Sequence, residues 1–181
     1  NSPWSGVDNF RYLTLPTNIE STLTYIRNTV VYNLVFMVIG LVLSVLLAVL
    51  IFELTNRFMA KLYHSIFFLP FFISWIVVAY VVYALGSNMG IINSIIVPMG
   101  FEKLEVYKTT AAWPIIFVIA NIWKYTGNGS IIYLATITGI DRELYEAAAI
   151  DGAGKWKQFV HITLPHLIPI IVLLQILAVG R

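Results

Sequence analysis

The residues of this chain best suited to chemistry lie in one polar stretch: Glu146-Ala147-Ala148, Gly152 after three further residues, and Ile162-x-Leu164-Pro165 after nine more. Glu146 supplies a carboxylate for charge-assisted hydrogen bonds to a basic partner. Ala147 and Ala148 leave a shallow face on which another surface can close, and Gly152 tolerates the left-handed backbone of a tight turn. This is the chemistry of docking. The stretch has too much helix propensity for a plain linker and too many charges to enter lipid. An amphipathic connector covering one end of a helical bundle would have the same composition.

A second group stands at helical spacing. Asn121, Lys124 and Asn128 occur at i, i+3 and i+7 and so share a face that should turn away from lipid. Their donors and acceptors suit the path of a hydroxyl-rich solute, with Trp123 and Tyr125 offering aromatic surface. Packing against a neighbouring helix, or snorkelling of Lys124 to the interface, accounts for the same residues. Catalysis has little to stand on, because all nine Asp and Glu fall outside the apolar runs. No G-x-x-x-x-G-K-[ST] loop cradles a nucleotide. The chain has no cysteine, and His64, His161 and His166 lack the spacing of a zinc helix. Neither metal nor cofactor is expected in this chain.

The elements that must position these groups follow from composition. Hydrophobic residues make up 59% and charged residues 11% of the 181-residue chain. Mean hydropathy is +0.84, far from the roughly 45–50% apolar and 25% charged globular average. The eleven Lys and Arg are dispersed and the net charge is only +2, so a nucleic-acid footprint is excluded. Spans are expected at about 29–52, 66–85, 113–138 and 164–180. The first gives roughly 36 Å of helix against a hydrocarbon core of about 30 Å. Pro70 falls early in the second span, where neighbouring helices can accommodate its missing donor. Residues 91–97 form an apolar patch too short to cross, which would lie in the interface or re-enter.

Within the polar loop, 139–163, Asp141 is a plausible N-cap for a helix over 142–150, and Gly152 with Gly154 can take left-handed conformations after it. A second short helix over 155–161 would place Trp156, Phe159 and Val160 on one face and Lys155, Lys157 and His161 toward water. The expected product is a helical hairpin lying on the membrane. Arg57, Lys61, Arg142, Lys155 and Lys157 on one side face Arg11, Arg27, Lys103 and Lys108 on the other. That five-to-four balance leans only slightly toward a cytoplasmic loop. The chain starts at Asn1 rather than Met and stops within an apolar run, as an internal piece of a longer membrane protein would.

The spacing of Glu146-Ala147-Ala148, Gly152 and Ile162-x-Leu164-Pro165 resembles the EAA loop of the permease subunits of binding-protein-dependent ABC importers, at every signature position. The flanks Gly139-Ile140-Asp141-x-Glu143-Leu144-Tyr145 and Ala153-Gly154-x-Trp156 resemble the carbohydrate branch. Ile122-Trp123-Lys124, Gly129-Ser130-Ile131-Ile132-Tyr133-Leu134 and Leu69-Pro70-x-Phe72-Ile73-Ser74-Trp75 are similar to the subgroup for polysaccharide or oligosaccharide uptake. Trp4-x-Gly6-Val7-Asp8-Asn9-Phe10 is similar to the segment after the family's first transmembrane helix.

The resemblance implies an all-α polytopic membrane protein, a type I permease-like bundle lacking its first and last transmembrane helices, set in a prokaryotic cell membrane. It implies that the loop is a coupling helix seated in a cleft of a cytoplasmic ATPase dimer, which would bind ATP and Mg. Glu146 would face a basic group there, and Gly152 would set the turn. A second permease subunit and an extracellular solute-binding protein complete the implied assembly. The implied cargo is a sugar, oligosaccharide or polysaccharide-derived. The alternatives are an amino acid, phosphate or glycerol phosphate permease, or a scaffold that transports nothing.

Overall fold

The computed structural model describes Gly6, Phe10 and residues 15–179. The rest of the Trp4-to-Phe10 segment and residue 180, the expected end of the fourth apolar run, lie outside the described residues. Every regular element among the described residues is helical.

Helix α1, Ile19–Phe52, has 34 residues, roughly 50 Å of rise. It starts ten residues before the apolar run at 29 and is longer than the hydrocarbon core. Leu34, Val38, Val42, Leu46 and Leu50 recur every fourth residue and all stay exposed, a stripe suited to lipid. The opposite face is small and buried, with Ser44 and Ala48.

The second expected span is not one helix. Helix α2, Arg57–Phe68, is capped by the Asn56 side chain, which accepts from the N–H groups of Phe58 and Met59. A 3-10 turn, Leu69–Phe72, follows; Ile73 and Ser74 are then extended, and α3 begins anew at Trp75 and runs to Gly86. Pro70 cannot donate to the carbonyl one turn back, so the helix tightens and breaks. The Ser74 hydroxyl then accepts from the Val77 N–H and restarts it.

The patch after Gly90 is a short helix, α4, Ile91–Ile96. Its buried Asn93 donates to the Ser87 and Leu104 carbonyls and accepts from the Leu104 N–H, knitting the 86–104 connection together. Helix α5, Ala112–Thr138, has 27 residues. Helix α6, Arg142–Ile150, and the short α7, Lys155–Gln158, follow; a π turn, Phe159–Thr163, joins α7 to α8, Leu164–Val179. Among the described residues three stretches qualify by length and composition to cross a membrane: α1, residues 75–96 and residues 155–179. Helix α5 has the length but carries too many polar residues to join them.

The principal packing is α1 against α5. In membranes such interfaces depend on close approach of small residues. A Cβ on Gly129 would stand 2.5 Å from the Ser44 hydroxyl, and one on Gly127 only 2.0 Å from the Phe67 carbonyl oxygen of α2. Ser44 donates across the seam to the Thr126 carbonyl at 3.3 Å. Below this crossing, Val45, Ala48, Tyr133, Ile137 and Leu167 form the apolar core.

Candidate coupling surface and its anchorage

At the end of α5, Gly139 donates to the carbonyls of Ala135 and Thr136 and Ile140 donates to that of Ile137. Ile140 is itself buried, so the joint to α6 is short and bonded. The Asp141 carboxylate accepts from the Glu143 N–H at 3.0 Å, as the sequence predicts for an N-cap. Helix α6 has no buried residue. Glu146 and Ala147 are exposed and Ala148 is half-buried, which leaves a shallow surface at the alanines beside the charges of Arg142, Glu143 and Glu146.

The close of α6 is a Schellman turn. The Ala153 N–H reaches the Ala148 carbonyl at 2.8 Å, and the Gly152 N–H reaches that of Ala149 at 3.1 Å. Gly152 takes φ +75°, the left-handed region that favours glycine. Gly154 does not share that role: its φ is −66° and it caps α7.

The expected second arm of a hairpin is also different. Helix α7, the π turn and α8 form one continuous helical course from Lys155 to Val179. Pro165 has no N–H to close an α-turn on the fourth carbonyl back; the helix widens instead, and the Leu164 N–H bonds the Phe159 carbonyl. Trp156 is 74% exposed, and Gln158 is buried in its place. Gln158 donates to the Ala153 carbonyl at 3.0 Å and so ties the turn to the last helix. Of the remaining signature residues, Ile162 and Leu164 are half-buried and Pro165 exposed at the root of α8.

Two further anchors were not singled out from the sequence. The Tyr145 and Thr163 hydroxyls lie 2.9 Å apart, with the Tyr145 ring packed on Phe52 at 5.8 Å. The Lys155 ammonium lies 2.7 Å from the Glu53 carboxylate. Solvent-exposed pairs of that kind contribute about 0–1 kcal/mol. The place of Phe52 and Glu53 at the end of α1 hints at neither contact, because both depend on how the helix ends meet. They flank an apolar groove of about 590 Å³ between α1 and the 155–171 course.

The polar face of α5 carries Asn121, Lys124 and Asn128. Asn121 and Asn128 are half-buried, and Lys124 is 5% exposed. Snorkelling is excluded by where its ammonium goes: it donates to the carbonyls of Phe71 (2.9 Å), Pro70 (3.5 Å) and Ile73, all in the broken segment. The rings of Phe71, Trp75 and Tyr125 surround it at 5.9, 5.8 and 5.5 Å. Trp75 donates its indole N–H to the Tyr125 hydroxyl.

Broken and unbroken apolar helices packed through small residues, with a capped polar helix following the longest polar-faced one, define an α-helical membrane component. The chain belongs to the binding-protein-dependent transport system inner membrane component family, which it matches over residues 30–181. It is 35% identical over 181 residues to the polygalacturonan/rhamnogalacturonan transport system permease protein YteP of Bacillus subtilis (strain 168), covering 99% of this chain and 55% of that protein. It is 31% identical to Protein LplB of the same strain, covering 99% and 56%.

Among solved structures, a bacterial ABC transporter involved in import of the acidic polysaccharide alginate superposes with a TM-score of 0.90 at 32% identity. That match covers 99% of this chain and 62% of the other. The alginate transporter in complex with an alginate pentasaccharide-bound periplasmic protein gives 0.88 at 32% identity, over 97% and 60%. The chain thus spans about half the length of the curated relatives it matches.

Proposed function

We propose that this chain is part of a permease subunit of an ATP-driven importer for an oligosaccharide or polysaccharide-derived sugar, with α6 as the contact for a cytoplasmic ATPase. The observation that carries the reading is α6 itself. It is a nine-residue helix with no buried residue, capped at both ends and joined to the long helix α5 by a bonded two-residue joint. A surface so firmly held and so little covered suits a groove in another protein. Glu146 meets a basic group of the ATPase, and Gly152 fixes the angle at which the chain leaves. ATP and Mg belong to that ATPase dimer, and this chain hydrolyses nothing.

Displacement of α6 by the ATPase shifts the spans between outward-open and inward-open states. A second permease subunit completes the path, and an extracellular solute-binding protein delivers the sugar. The names of the similar proteins, which give polygalacturonan/rhamnogalacturonan and alginate, support a glycan over an amino acid, phosphate or glycerol phosphate. Asn121 and Asn128, half-buried on α5, are the proposed path residues of this segment; Lys124, on the same face, has its donors engaged by backbone.

The test is reconstitution of the full-length protein with its ATPase, companion permease and binding protein in proteoliposomes. Binding-protein-stimulated ATP hydrolysis is expected to fall in Glu146→Arg and Gly152→Val while the subunits still co-purify. Stimulation equal to that of the parent in both variants would overturn the coupling role.

A further inference from the structure

We infer that Lys124 is a positioning residue that locks the break at 70–74 onto α5, so that the break and the α5–α6 arm move as one body. Its consequence in transport rests on the coupling role proposed for α6; the lock itself rests on contacts within the chain.

Lys124 lies near the middle of α5, about 18 Å along it from Ala112. A charge at such depth is costly unless it is paired, yet among the described residues no carboxylate stands against it. It is satisfied by backbone alone. An ammonium has three donors, and the accepting carbonyls are those of Pro70, Phe71 and Ile73. Three aromatic rings close over the site, so the pairing is dry and its donors strongly held.

The break therefore depends on a side chain supplied by another helix. One turn farther along, the missing Cβ of Gly127 lets α5 meet the Phe67 carbonyl backbone to backbone. The broken span is thus held to α5 at both 67 and 70–73. Helix α5 then continues without interruption to Thr138, and the Gly139–Ile140 joint connects it to α6. A displacement of α6 is delivered through this arm to the break, and Lys124 is the polar pin of that linkage.

Residues 1–181 contain no cysteine, so single cysteines introduced here can be read in the assembled full-length transporter once any cysteines elsewhere in the assembly are replaced. Single cysteines are placed at exposed Ser74, beside the break, and at exposed Ile150 on α6, and their labelling by a small thiol reagent is compared with and without ATP and vanadate. With Lys124 present, both sites are expected to change rate by about fivefold or more on nucleotide trapping. In Lys124→Met the change at Ile150→Cys persists and that at Ser74→Cys disappears; Lys124→Arg, which keeps donors, restores part of it.

A nucleotide response at Ser74→Cys that is the same in Lys124→Met as with lysine would overturn the lock. Loss of response at Ile150→Cys with lysine present would instead overturn the coupling role of α6. Should Lys124→Met not assemble, Lys124→Gln replaces it and is expected to give a smaller response at Ser74→Cys than Lys124→Arg does; a response equal to that of lysine overturns the lock.

Discussion

Prolines interrupt two apolar stretches of this chain, and the backbone answers in opposite ways. At Pro70, a buried residue, the helix tightens into a 3-10 turn, goes extended for two residues and restarts under a serine cap. At Pro165 and Pro169, both exposed, the helical course continues from Lys155 to Val179, relieved only by a π turn. The difference lies in where replacement donors are. The carbonyls around Pro70 are taken by Lys124 from across the bundle. Those near Pro165 have only local donors: the Leu164 N–H bonds the Phe159 carbonyl, and the His166 ring nitrogen lies 2.6 Å from the Ile162 carbonyl. A break in a dry interior needs a distant helix to satisfy it, whereas a distortion can be satisfied within its own turn.

The largest effect on this contrast is expected from Gly127→Val. Its Cβ would fall within 2.0 Å of a backbone oxygen, and overpacking of that kind costs about 1–3 kcal/mol or more. Backbone must move on both helices, and detergent-solubilised protein should lose its monodisperse peak in size-exclusion chromatography. Retention of the parental profile would mean that α5 and the end of α2 are not in contact.

Lys124→Met comes next. It leaves the Phe71 and Ile73 carbonyls without their lysine donor, while that of Pro70 keeps the Ile73 N–H, and the loss is read as a lowered thermal unfolding midpoint. Adding Pro70→Ala should recover part of that loss by allowing the helix to continue and pair its own carbonyls. Strict additivity of the two substitutions would break the link between proline and lysine.

Gly152→Ala should cost roughly 1–2 kcal/mol of left-handed strain, confined to the α6 turn. Faster amide hydrogen exchange over 147–153 with an unchanged unfolding midpoint of the bundle is the expected reading. The smallest effect belongs to Pro169→Ala, within about 1 kcal/mol, because this helix has already accommodated its proline. A large loss of thermal stability there would show that Pro169, like Pro70, serves a tertiary contact and would erase the contrast.

How far these regions could be read from sequence follows the same division. Asp141 as a cap, 142–150 as a helix and Gly152 as its left-handed end were legible, since each is decided within one turn of chain. The helix from 112 to 138 was legible from its apolar flanks. The continuous course through Pro165 was not, because a π turn leaves no composition signal that separates it from a helix stop. The anchors Tyr145–Thr163 and Glu53–Lys155 join residues remote in sequence, and nothing in the spacing of either pair announces them.

The sequence by itself determined that this is a membrane protein of helices, where the polar helix α6 lies and which family the chain belongs to, because hydropathy, capping and the signature loop are local properties. The tertiary structure alone decided where the polar group at the centre of α5 bonds. Lys124 has the same sequence context whether it snorkels, lines a path or pins a neighbour. Only the approach of α2 across Gly127 brings the Pro70 break within its reach. A buried ammonium goes where its three donors can be met, and the location of those acceptors is a property of the assembled bundle.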